Sequence, residues 1–218
     1  MEIHQRTCED ASGMVAIPNH NMETHRARAA EAIERFYNPG TISDCTDLFE
    51  ACEEGQRYKY AHRLVRTLER RKAVKMVGVA RLPGKRAQLV YCSRNLKQRE
   101  LQHELGITEM YLAIASVTPV QMARGRDVNN AYRADIEFRI HDTHVLGEYD
   151  TGTEGHTQVK GRWDVLSTAA AKILWVTSTE ERATNLSAID HPIRPYMRIV
   201  ALTLLLHAPE RVVEWVGS

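Results

Sequence analysis

The chain contains no apolar run approaching the roughly 18 residues that a bilayer span needs. Its opening, MEIHQRTCED, lacks the basic flank and apolar core of a secretion signal. Both absences argue against membrane insertion and export, and predict a cytoplasmic protein with no membrane partner. Cysteine is scarce as well. The four present, Cys8, Cys45, Cys52 and Cys92, form no Cys-x-x-Cys pair and no zinc-finger spacing. Reduced thiols are expected, with Cys45 and Cys52 on the buried face of one helix. No phosphate-binding Gly loop, Gly-x-Ser-x-Gly elbow or dinucleotide fingerprint occurs. His141 and His144 in HDTH have a spacing that zinc could use, but no second Cys or His pair completes four ligands.

Acid is nearly missing from one long stretch. Between Arg57 and Arg99 fourteen Lys or Arg stand against a single carboxylate, Glu69, while the whole chain carries only +1. The rest must therefore be strongly acidic. A face that needs only solubility mixes its signs at lower repulsive cost. Segregation on this scale predicts a polyanion partner, here double-stranded DNA.

Local patterns divide the chain into three parts. Residues 1–22 show no sustained period and are expected to be a flexible arm. In 23–95, Ala29, Ile33, Phe36 and Tyr37 make one helical stripe, ended by Asn38-Pro39-Gly40. Ser43 or Asp44 can cap a second helix carrying Leu48, Phe49 and Cys52, which Gly55 breaks. A third, about 56–71, places Tyr60, Leu64 and Leu68 four apart. Two β-prone runs, 74–80 and 87–93, then flank a Pro83-Gly84 turn. Three helices and a basic-tipped hairpin are the order of a winged helix-turn-helix. Its expected DNA contacts are Arg57, Tyr58, Lys59, Arg63 and Arg66 on the third helix and Arg81, Lys85 and Arg86 on the hairpin.

Residues 96–218 read as a mixed α/β unit. A helix over 94–105 precedes a strand at MYLAIASV (110–117) and a loop over 118–130. RADIEFRI (133–140) alternates, with Ala134, Ile136, Phe138 and Ile140 on one face. HVLGEYD (144–150) follows, with Leu146, Glu148 and Asp150 sharing a face. A helix after Gly155 carries Val159, Trp163, Leu166 and Ala170. Then come a buried strand over 172–178, a helix over 179–189, and a further helix in RPYMRIVALTLLLH. The order α-β-β-β-α-β-α is the skeleton of a restriction-endonuclease-like core. Such chemistry needs carboxylates converging on Mg²⁺ and a lysine that steadies the phosphate charge. Asp135, Glu148 and Lys160 are the catalytic candidates, and Asp135, Glu148 and Asp150 the metal-ligand candidates. Asp150 stands where the usual strand motif of such nucleases has Lys, so Lys160 would serve from the helix.

The sequence resembles the replication-relaxation family of plasmid and mobile-element proteins over about residues 25–190. The resemblance rests on LQHELGITEMYLAI, RADIEF, LGEYDTGTEGHTQVKGRWDVL and ILWVTSTEERATNL, and is most specific in GEYDTGTE. The matching positions are His103, Asp135, Glu148, Asp150, Thr153, Glu154, Lys160 and Arg182. It implies a role in plasmid replication and DNA relaxation. Two readings follow: a Mg²⁺-dependent DNA nickase, or a non-catalytic regulator (an initiator or transcription factor). In the second, the nuclease-like unit serves homodimerisation or partner binding.

Overall fold

The computed structural model describes residues 22–35, 37, 39–81, 86–94, 96–97, 100–125, 127–129 and 132–218. The expected arm therefore lies outside the described residues except for Met22, and so do Lys85 and the Pro83-Gly84 turn.

Helix α1 (Met22–Arg35) is followed by two 3-10 turns, Ile42–Cys45 and Asp47–Phe49, where one α-helix was expected. The cause is local. The Asp44 carboxylate accepts from the Thr41 backbone N–H at 2.6 Å, and Thr46 Oγ1 donates to the Ser43 carbonyl at 2.8 Å. The first bond caps the start of the turn, and the second takes up a carbonyl that a continuing α-helix would pair. Cys45 is consequently buried in the first turn, and Cys52 is half-buried beyond the second, so they share no helix face. Both are free thiols.

Helix α2 (Glu54–Arg70) buries Tyr60, Ala61, Val65 and Leu68. It ends as a Schellman turn: Ala73 N donates to the Leu68 carbonyl, Lys72 N donates to the Glu69 carbonyl, and Lys72 is left-handed at φ 58°. The antiparallel hairpin β1 (Lys75–Ala80) and β2 (Gln88–Cys92) follows. Gly40 exchanges two backbone hydrogen bonds with Tyr91, at 3.0 and 2.8 Å, tying the chain before the 3-10 turns to the hairpin. Ala32, Ile42, Phe49, Tyr60, Val65 and Tyr91 are among the residues of this segment's own apolar core.

Helix α3 (Leu101–Ala115) overturns the expected strand at 110–117. Every residue from Leu105 to Met110 is buried, so the helix shows no polar stripe and its sequence has no helical period to read. The missing strand lies in the expected loop. It is β3 (Val120–Arg124), followed by a small ladder of β4 (Asp127–Asn129) and β5 (Tyr132–Arg133). Strands β6 (Ile136–Ile140) and β7 (Thr143–Asp150) agree with expectation, as do α4 (His156–Leu166), β8 (Lys172–Thr177) and α5 (Glu180–Ser187). The expected final helix is instead a 3-10 turn (Arg194–Tyr196), strand β9 (Met197–Ala201), and the short helices α6 (Leu202–His207) and α7 (Glu210–Gly217).

The chain is thus α+β with a mixed five-stranded sheet ordered β3-β6-β7-β8-β9. The first three strands are an antiparallel meander, and β8 and β9 run parallel to β7. Residues of α3, α6 and α7 cover one face, with Ile136, Phe138, Val145 and Leu174 beneath them. On the other face, Trp163 of α4 and Leu186 of α5 pack with Leu146 and Trp175. Ala134 belongs to this second face, away from Ile136 and Phe138, because the backbone bends at Asp135 and breaks the expected alternation. Among the described residues, no helix is long and apolar enough to cross a membrane.

Candidate functional site

Strand register brings two of the expected carboxylates together. Ile136 pairs with Gly147, so one step further along the ladder Asp135 faces Glu148. The backbone N–H of Asp135 donates to Glu148 Oε1 at 3.3 Å, and that of Tyr149 donates to Asp135 Oδ2 at 2.9 Å. His103, reaching down from α3, places Nε2 3.1 Å from the same Oδ2. Tyr132, just before the bend, donates its hydroxyl to Glu148 Oε2 at 2.6 Å.

Glu148 is only 1% exposed. Burial, and then the neighbouring Asp135 charge, push its pKa well above the usual carboxylate range. Arg162 of α4 lies 3.9 Å from Glu148 and pulls the other way, but it is in closer contact with Glu154 and a third exposed. Its charge is largely spent on Glu154 and on solvent, so desolvation prevails and Glu148 is held toward its protonated form. The same burial, reinforced by Glu148, raises the pKa of the Tyr132 hydroxyl.

Asp150 does not join this pair. Arg182 Nε donates to its Oδ2 at 2.9 Å, Trp175 Nε1 approaches the same oxygen at 3.4 Å, and Gly152 N donates to Oδ1 at 2.6 Å. A second donor of Arg182 reaches the Glu154 carbonyl at 2.7 Å. Asp150, Arg182 and the turn over 151–155 form a clasp that fixes the loop after β7 to the first turn of α5. Thr153 sits on that loop, its hydroxyl 3.3 Å from that of Thr151. Lys160 is exposed on α4, and the α4 cation that meets the acidic pair is Arg162. A signal for this was available. At about 100° per residue, Arg162 falls nearer than Lys160 to the centre of the buried stripe of Val159, Trp163 and Leu166. Among the described residues, no group of three or more His, Cys, Asp or Glu side chains is placed to hold a metal.

The expected DNA contacts also separate. On α2, Tyr58 (54% exposed), His62, Arg66 and Arg70 recur every four residues on the exposed side, with Lys59 next to Tyr58. Arg66 pairs with Glu69, and Arg63 is half-buried. Arg57 turns back on its own chain, donating to the carbonyls of Cys52 at 3.2 Å and Glu50 at 3.1 Å. Arg81 and Arg86 are exposed at the ends of the hairpin strands.

A cleft of about 390 Å³ opens beside the acidic pair, lined by Tyr37, Arg94, Glu104, Gly125, Arg133, Ala134 and Asp135. A larger hollow of about 840 Å³ lies around the β6–β7 turn and the start of β8, with Asp142, His144, Lys172 and Tyr196 in its wall.

No protein-family model matches the chain, and no curated protein matches it. Among solved structures it is similar to the crystal structure of protein VC1899 from Vibrio cholerae, with 13% identity and a TM-score of 0.36. That likeness covers 89% of this chain and 50% of the other, so the chain spans half of that protein's length, and a match this loose carries no argument about function.

Proposed function

We propose that the protein binds double-stranded DNA through α2 and the β1–β2 hairpin, used as a winged helix-turn-helix, and acts as a regulator rather than a nuclease. The replication of a plasmid or mobile element is the setting that the family resemblance implies. The observation that carries the reading is the exposed stripe of Tyr58, Lys59, His62 and Arg70 on α2, within a segment almost free of acid. Cations on one helix face can follow a phosphate backbone while an aromatic residue meets base edges.

The order α3, three-stranded meander, α4, β8 supports a restriction-endonuclease-like relationship for the second half. A magnesium ion at its acidic pair would need ionised carboxylates with open coordination positions. Glu148 is instead buried and held toward its protonated form, with both oxygens hydrogen-bonded, and Asp150 is committed to Arg182. The residues as arranged do not fit the ion, and we derive no cleavage step through it. Magnesium-dependent nicking remains the second reading for one reason: Asp135 and Glu148 meet on adjacent strands beside an open cleft.

One pair of assays decides. In gel shifts with duplex DNA, Lys59→Ala combined with Arg70→Ala should weaken binding about tenfold or more. Supercoiled plasmid incubated with protein and Mg²⁺ or Mn²⁺ should stay intact. Nicking by the wild type that is lost in Glu148→Ala would replace the regulator reading with the nickase.

A further inference from the structure

We propose that the cleft beside Asp135 receives one unpaired nucleotide, so that the preferred ligand is duplex DNA interrupted by a short single-stranded gap. This rests on the DNA-binding reading above and adds to it the form of the DNA. The cleft has the three parts that such a site requires.

Its rim carries an aromatic platform. Tyr37 is 60% exposed, and the Arg94 guanidinium lies 6.0 Å from its ring centroid. A ring so exposed, with a cation against one face, offers the other face to a base, and every base can stack on it. Its mouth carries two anchored guanidinium groups, one of them paired with a carboxylate that also lines the cleft. Arg94 donates to the Tyr37 carbonyl at 3.0 Å and pairs with Glu104, and Arg133 is held by the Gly125 carbonyl. Arg94 also belongs to the acid-poor segment that begins on α2. Its wall carries an acceptor. The hydrogen bonds of Asp135's side chain among the described residues fall on Oδ2, from Tyr149 N and at His103, while Oδ1 has none. A carboxylate oxygen in that position suits the exocyclic amine of a cytosine, adenine or guanine.

Size favours a single strand over a duplex. About 390 Å³ is near the lower end of small-ligand sites, which run about 300–1,000 Å³. It is of the size of one base with its sugar rather than of a base pair with both backbones.

The test uses the full chain and two fluorescent DNAs of one sequence, one an intact duplex and one with a three-nucleotide gap containing 2-aminopurine. Wild type should bind the gapped DNA about tenfold more tightly, the size of one base–aromatic stack, and should quench the 2-aminopurine. Tyr37→Ala should lose both the preference and the quenching while binding intact duplex as before, and Tyr37→Phe should retain both. Tyr37 is exposed, so these variants should fold; unchanged circular dichroism checks it. Equal binding of the two DNAs, or a preference that survives Tyr37→Ala, overturns the cleft assignment and leaves duplex binding standing. Failure to bind either DNA at low salt overturns the DNA reading itself. A free deoxynucleotide that occupies the cleft as tightly as the gapped DNA would make the ligand a small molecule and overturn the strand assignment.

Discussion

Glu148 is an acid placed where ionising is costly, and this has a sign that can be measured. Its folded pKa lies above the ordinary 4.5, so between those two values the native state holds a proton that the unfolded chain has released. The associated stability is complete below about pH 4.5 and is lost as pH rises through the raised pKa. Glu148→Gln removes that dependence. In urea unfolding at pH 5 and pH 8, the wild-type midpoint should fall more than that of Glu148→Gln; parallel falls would refute the buried-acid account. Arg182 makes a second residue-scale case. It is 13% exposed against an Asp150 that is 3% exposed, so Arg182→Ala strands a buried carboxylate. A loss of about 3 kcal/mol is expected in equilibrium unfolding, with a smaller loss for Arg182→Lys. A loss near zero would mean that Trp175 and Gly152 hold Asp150 alone. Sequence placed Asp135 and Glu148 on neighbouring strands, although the bend at Asp135 interrupts the alternation from which they were read. It could not see that Asp150 faces an arginine 32 residues away.

Elements that bury one face were legible, and those that bury everything or nothing were not. Helix α2 announced itself through Tyr60, Leu64 and Leu68. Helix α3 did not, since its end, Met110 to Ala115, is apolar at every position and reads the same as an interior strand. Strand β3 was hidden for the opposite reason: at the sheet edge, Gln121 and Ala123 are exposed and leave no apolar signature. Strand β9 merged with α6 because Ala201 and Leu202 are apolar on both sides of the boundary. The tight seating of α3 on β7 supplies a test. Gly106 lies so close to the Tyr149 ring that an added methyl would overlap it. Gly→Ala within an exposed helix normally stabilises by about 1 kcal/mol. Here Gly106→Ala should instead destabilise by about 1–3 kcal/mol, the range for overpacking, and lower the thermal midpoint. A raised midpoint would mean that helix and strand are less closely packed.

Across the whole molecule, charge is divided along the chain, and this was the plainest message of the composition. Binding that depends on the basic half should weaken steeply with salt. A plot of log affinity against log salt should lose about one unit of slope for each phosphate contact removed, so Lys59→Ala and Arg70→Ala should each flatten it. An unchanged slope would move the DNA surface off α2. The position of the tryptophans has another consequence at this scale. Trp163 of α4 and Trp175 of β8 meet edge to face at 5.9 Å, and Trp215 of α7 sits against Lys172. These are the three tryptophans of the chain, and none belongs to the helices and hairpin before residue 96. Intrinsic tryptophan emission is therefore a built-in spectroscopic label for the sheet and its covering helices. Far-ultraviolet dichroism, in contrast, registers both halves. Denaturation followed by the two signals together would show whether the basic half melts with the sheet or ahead of it.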